Sequence, residues 1–146
     1  EQDRQALIEG VKQGTISAIS SYHQPHESAA KMAPFAATAP GISGVETLLP
    51  YGLELVRDNL LELTTLIDRL TAGPAQAARI KGGTLCIGDI ADICIFDPEE
   101  RWTLNEQTLF SKGHNTPRLH TELQGRVRHT LVAGQKVHQC PGQPEY

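Results

Sequence analysis

The sequence predicts an α/β protein, and only the C-terminal portion of one. Three observations carry this. A helical pattern through Ala6, Leu7 and Val11 runs into the β-branched stretch Thr15-Ile16-Ser17-Ala18-Ile19-Ser20, which ends in a polar loop holding His23 and His26. Helix, short buried strand and polar loop make a typical α/β unit, and such folds place chemistry at the C-terminal ends of strands. That strand has no parallel partner in the chain, because a parallel neighbour needs a crossover unit of its own. After Gly83 the texture turns β-rich. Most of an α/β barrel is therefore expected upstream, and a start at Glu1-Gln2-Asp3-Arg4 without Met agrees with missing residues there.

The elements follow in order. Asp3 is placed to cap the first helix and Gly14 to end it. Thr15 to Ser20 has little polar bulk on either face, as in a strand covered on both sides. Residues 27–42, with Pro34, Pro40 and Gly41, read as a long loop, a length that suggests a job such as covering a site. Ser43-Gly44-Val45-Glu46 has the spacing of a capping box. Val45, Leu48, Leu49, Leu53 and Val56 then recur at helical spacing, with a kink or break expected at Pro50. Leu60 to Leu70 is a further helix. Gly73-Pro74 opens a short one with Pro in its first position, closed by Gly82-Gly83. Ala91 to Pro98 reads as a strand ended by a turn. Val127 to Val132 and Gln135 to His138 flank Ala133-Gly134 as a hairpin, although Ala is not an ideal first residue of a type I′ turn.

Composition narrows the function. Thirteen basic and 17 acidic residues give a net charge of −4, which argues against a nucleic-acid partner. No apolar run approaches the roughly 20 residues that span a bilayer, so no membrane partner is expected. Cys86, Cys94 and Cys140 are odd in number and lack CxxC spacing. They read as free thiols, small semi-buried fillers in a reducing, cytoplasmic compartment.

Two histidines in a loop are weak evidence alone. Their surroundings are more specific. The run from Asp3 to Gly10, Gly14 to Ile19 and then His23-Gln24-Pro25-His26 resembles the last barrel unit of dihydroorotases. Pro40-Gly41-Ile42-Ser43-Gly44-Val45-Glu46-Thr47-Leu48-Leu49-Pro50 resembles the segment that follows in that family. So do Lys81-Gly82-Gly83-Thr84-Leu85, Gly88, Ala91-Asp92, Ser111-Lys112 with Asn115-Thr116-Pro117, Gly125-Arg126-Val127 and Gly134. The His-x-Pro-His loop and the Ser-Lys-x-x-Asn-Thr-Pro element together point to the long-chain dihydroorotase and allantoinase branch of the amidohydrolases.

The resemblance implies a (β/α)₈ barrel carrying a small β-sandwich built from both chain ends. Residues 1–82 would supply the end of the barrel, with its last strand and helices. Residues 83–146 would supply the C-terminal half of the sandwich. The resemblance also implies a chemistry, and there the sequence departs from the family. An active dihydroorotase has Asp directly before His-x-Pro-His, where it ligates metal and shuttles a proton. Here that residue is Tyr22. A neutral phenol is a poor ligand for a dication and a poor base near pH 7. Losing a positioned acid/base group costs about 10²–10⁴ in rate. His26 matches the position that binds the substrate carboxylate, and Pro40 and Gly41 match a stretch that contacts the substrate ring, with Pro40 replacing the usual residue. Lys112 and Asn115 read as structural, Glu46 as the capping-box partner, and His114, His120, His129 and His138 as surface positions.

Three functions compete. The first is a non-catalytic dihydroorotase-like scaffold that supports the aspartate carbamoyltransferase catalytic chain in pyrimidine biosynthesis. Its other partners would be the upstream part of its own barrel and further copies in a homo-oligomer, with no cofactor held by this chain. The second is an active zinc-dependent dihydroorotase or allantoinase-like cyclic amidohydrolase. The third is a metal-free binder of a carboxylate metabolite through His26.

Overall fold

The computed structural model describes residues 1–141. Four α-helices come first: α1 (Gln2–Gln13), α2 (Leu48–Arg57), α3 (Leu63–Leu70) and α4 (Ala72–Ala77). Three strands follow: β1 (Ile93–Thr103), β2 (Glu122–Val132) and β3 (Gln135–Gln139). They form one antiparallel sheet in the order β1-β2-β3. Among the described residues, no helix is long and apolar enough to cross a membrane.

Three of the helices stop on a residue in the left-handed region. α1 stops at Gly14 (φ 82), as its sequence predicts. α2 ends at Asn59 (φ 56), where Asn59 N donates to Val56 O and Leu60 N donates to Leu55 O. α4 ends at Arg79 (φ 55), where Arg79 N donates to Gln76 O and Ile80 N to Ala75 O. Both pairs are Schellman bonds, which satisfy carbonyls that the last helical turn leaves free. The short helix therefore closes before Gly82-Gly83. Pro74 is its third residue rather than its first.

Several other expectations need correction. Asp3 lies inside the first turn of α1, and Glu1 stands at the N-cap, where its carboxylate accepts from Arg4 Nη1 (3.1 Å) and caps no backbone amide. Thr15 to Ser20 makes no ladder. Thr15, Ser17 and Ser20 are exposed, and only His23 bridges Ile42, in parallel. A β-branched run becomes a strand only beside a partner, and the described residues provide none there. Pro50 neither kinks nor breaks α2. It is the third helical residue, where no intrahelical acceptor is waiting for its missing N–H. β1 does not end at Pro98. Asp97 Oδ1 accepts from Glu99 N (2.8 Å) and Glu100 N (3.2 Å), the register with β2 shifts between Asp97 and Arg101, and pairing resumes to Thr103. Pro98, which cannot donate, thus sits in a bulge. Cys86 and Cys94 are exposed and only Cys140 is buried, all three as free thiols.

The core lies between α2, α3 and the sheet. Leu53, Leu61 and Leu66 are its buried centre, flanked by Val11, Ile19, Leu49 and Phe96. Two glycines set the spacing. A Cβ on Gly52 would stand 2.6 Å from Leu66 Cδ1, so α2 and α3 meet closely there. A Cβ on Gly125 would stand 2.3 Å from Leu53 Cδ1, so α2 lies down on β2.

The β2–β3 hairpin turns on two residues, Ala133 (φ 49) and Gly134 (φ 78). Two positive φ values are what a type I′ turn requires. Asp92 Oδ1 accepts from Ala133 N (2.8 Å), and Ala91 O accepts from Gly134 N (2.9 Å). The Ala91-Asp92 pair therefore braces the hairpin tip. Ala133 carries the steric cost of the left-handed region, about 1–2 kcal/mol for a residue with a Cβ. Ala133→Gly is expected to raise stability by about 1 kcal/mol in urea unfolding of the full-length protein. A loss of stability would contradict this account of the turn.

Candidate functional site

The segment from Ser20 to His26 leaves the core where Ile19 N donates to Arg69 O, and then runs beside residues 40–45. Gln24 N donates to Ile42 O at 2.8 Å. An apolar cleft of about 340 Å³ opens on one side of it, between Ser20, Ser21, Ile42, Tyr51 and Leu66.

Tyr22 has φ 43, its amide donates to Ser20 Oγ (3.3 Å), and the residue is 77% exposed. A positive φ is uncommon for a bulky side chain, whereas Asp, Asn and His adopt it several-fold more readily. His23 Nδ1 accepts two backbone N–H groups, from Gly44 (3.1 Å) and Val45 (3.2 Å). An accepting Nδ1 carries no hydrogen, so the neutral ring keeps its proton on Nε2. His26 is half-buried. Its Nε2 lies 2.9 Å from Pro40 O, so the ring donates there and leaves Nδ1 for another partner.

His26, Pro40 and Gly41 therefore come together, while Tyr22 holds its phenol in the open four residues earlier. Gly41 is at φ 101, and a Cβ there would stand 2.2 Å from Gln24 Oε1, so the turn needs glycine. Lys31 fastens the same turn: its Nζ donates to Ala39 O and, at 2.8 Å, to Gly41 O. Three consecutive carbonyls, 39 to 41, thus each accept from a side chain. Residues 27–42 are not featureless, since Ser28–Lys31 and Phe35–Ala37 form single 3₁₀ turns.

The connection before β2 reaches into this site. Asn115 Nδ2 donates to Gln24 O (3.1 Å) and Gly41 O (3.2 Å). Asn115 Oδ1 accepts from His26 N (2.6 Å) and lies 2.9 Å from Ser43 Oγ, whose hydroxyl also faces Gly113 O. Ser43 is therefore no helix cap. Glu46 is none either: its two carboxylate oxygens accept from Phe110 N (2.8 Å) and Ser111 N (2.9 Å). Thr47 holds the N-cap position of α2. The contribution of Lys31 was not legible in the sequence. For Asn115 a signal existed, since Asn in a Thr-Pro loop favours side-chain bonds to backbone, but nothing in its spacing named the partners.

Of the remaining histidines, only His120 is exposed, beside Glu106 at 3.4 Å. His114, His129 and His138 are half-buried, not surface positions. His129 lies on the central strand, and His138 meets the Phe110 ring edge-on, with centroids 5.3 Å apart. Cys94 is exposed as a residue, but partial burial of its sulfur pushes the thiol above its ordinary value. Among the described residues, no three His, Cys, Asp or Glu side chains gather as a metal-holding group.

The sequence profile of the amidohydrolase family matches residues 37–138. This chain belongs to the amidohydrolase family. It is 54% identical to the dihydroorotase-like protein of Pseudomonas aeruginosa, over 94% of this chain and 32% of that protein. It is 44% identical to the dihydroorotase of Aquifex aeolicus, again over 94% of this chain and 32% of the other. A D-hydantoinase structure superposes with a TM-score of 0.82 at 21% identity, covering 94% of this chain and 32% of that one. That last likeness shows the fold. The amidohydrolase chain thus spans about a third of the length of the curated relatives it matches, and it corresponds to the C-terminal portion of the barrel fold.

Proposed function

We propose that this chain is part of a dihydroorotase-like protein of pyrimidine biosynthesis that has lost hydrolysis and supports the aspartate carbamoyltransferase catalytic chain. The observation that carries the reading is Tyr22. It occupies the place before His-x-Pro-His where the family's resemblance calls for Asp, in a backbone conformation that suits Asp better than Tyr. The 54% relative that bears the name dihydroorotase-like supports it as well.

The residues here do not fit a hydrolytic metal centre. A phenol is a poor ligand for a dication, Tyr22 stands 77% exposed, and His23 spends Nδ1 on two backbone amides. His26, Pro40 and Gly41 stay together, with the ring held against Pro40 O, and the role of His26 toward a carboxylate ligand such as orotate follows from the family resemblance. The exposed Ile80, Leu85, Ile87 and Ile90 support a covering by the upstream part of the same protein. The partner surface and self-association belong to the same proposal.

The test uses the full-length protein. Metal analysis is expected to find zinc well below one equivalent, and dihydroorotate is expected to stay intact. One equivalent of zinc with measurable hydrolysis would overturn the non-catalytic reading. Co-purification with the carbamoyltransferase chain is expected, and its failure would overturn the partnership alone. Tyr22→Asp should fold at least as stably as the natural chain, because it relieves the left-handed backbone.

A further inference from the structure

Asn115 stands 89 residues from His26 in sequence, yet its carboxamide is bound on every side by the segments around that ring. A carboxamide has two donor hydrogens and two acceptor positions. The donors go to Gln24 O and Gly41 O, and the acceptor oxygen takes His26 N and faces the Ser43 hydroxyl. The orientation follows from the partners, since a flipped amide would aim NH₂ at an N–H and oxygen at two carbonyls.

We propose that Asn115 is the positioning residue of the His26 site, holding the ring for a carboxylate-bearing ligand. It grips the loop twice. One grip is the His26 amide, which fixes the Cα from which the ring projects. The other is Gly41 O, next to the Pro40 carbonyl that the ring itself contacts at 2.9 Å. Moving either grip moves the ring relative to its acceptor. Lys31 secures the Pro40 turn from the opposite side without a hydrogen bond to the 23–26 segment, whereas Asn115 bonds to both and reinforces the direct Gln24 N–Ile42 O and His26 Nε2–Pro40 O bonds between them. Gly113 makes the approach possible: a Cβ there would lie 2.5 Å from His26 N. This inference rests on the reading of His26 as an anion-binding group, and its test separates the two.

The experiment uses full-length protein with orotate as the probe. Calorimetry reads affinity, and hydrogen exchange resolved to single residues reads the His26 amide. Asn115→Ala is expected to weaken orotate binding at least tenfold and to expose the His26 amide to exchange. Asn115→Asp keeps an acceptor for that amide and is expected to restore its protection, though not the grip on Gly41 O. Leu66→Ala serves as a control that destabilises the core; it borders the loop only across the cleft beside Ser20 and Ser21 and removes no bond to residues 23–26, so it should leave His26 protected in the folded state. If the natural protein shows no heat with millimolar orotate, the anion-binding reading fails, and the positioning role for such a ligand fails with it. If orotate binds and Asn115→Ala leaves both affinity and His26 exchange unchanged, only the positioning proposal is overturned. If Asn115→Ala does not fold, Asn115→Asp decides. Unprotected His26 in that variant overturns the proposal, and protected His26 with weakened orotate binding supports it.

Discussion

Leu66→Ala is expected to destabilise the full-length protein by about 4 kcal/mol, toward the upper end for a buried Leu replaced by Ala. Leu66 is 0% exposed and lies at the centre of the cluster with Leu53 and Leu61. The size of the effect depends on how far the walls can close over the space. Here they are held from several sides. Gly52 already brings the α2 backbone against the Leu66 side chain, so the helices have little approach left. α2 is tied to the connection before β2 by Arg118 Nη2 and Glu54 Oε1 at 2.8 Å, with the Arg118 guanidinium 5.5 Å from the Tyr51 ring centroid. α3 is tied to the first segment, where Arg69 O accepts from Ile19 N and Arg69 Nε donates to Val11 O at 3.2 Å. A cavity that cannot collapse loses both the transfer energy of the removed atoms and the contacts of its lining. Urea unfolding checks the value, and a loss below about 1 kcal/mol would mean that the cluster is less rigid than these ties imply.

What the sequence revealed and what it hid divide along the range of the interactions. Gly14 was legible as a helix stop because the left-handed residue and the carbonyl it relieves are neighbours in sequence. The β2–β3 hairpin was legible for the same reason, with its strands separated by two residues. Amphipathic spacing likewise located the helices that bury Leu53 and Leu66. Ser43 and Glu46 show the opposite case. Their spacing is that of a capping box, but both side chains bond to partners 64 to 72 residues away, and local spacing cannot rank a distant partner above a near one. The stretch from Thr15 to Ser20 has the residue types of a strand, but a ladder is a property of two segments. Pro98 failed as a terminator because Asp97 satisfies the following amides and lets the chain return to register. At the site, the family resemblance singled out Tyr22, His26, Pro40 and Gly41. Lys31, Gly113 and the reach of Asn115 emerge only when the loop, the turn and the connection before β2 are seen together.

Gly113→Ala is expected to cost about 3 kcal/mol and to displace the His26 loop, a larger effect than one methyl group usually has. The new Cβ would stand 2.5 Å from His26 N, 2.7 Å from Pro25 Cβ and 2.8 Å from the Pro25 carbonyl carbon. None of these is the end of a flexible side chain that could swing aside. Pro25 has a fixed φ, so relief must come from moving the backbone of one segment away from the other. The same separation lengthens the His26 N–Asn115 Oδ1 bond and draws Ser43 Oγ away from Gly113 O. Sterics and hydrogen bonding therefore act in the same direction, and the substitution spoils the site more than its cost in overall stability suggests. Leu66→Ala provides the contrast: it should lower stability at least as much and leave the loop in place. Hydrogen exchange at His26, measured on both variants in the full-length protein, distinguishes them. Equal protection of that amide in the two would show that the loop does not depend on the close approach of Gly113.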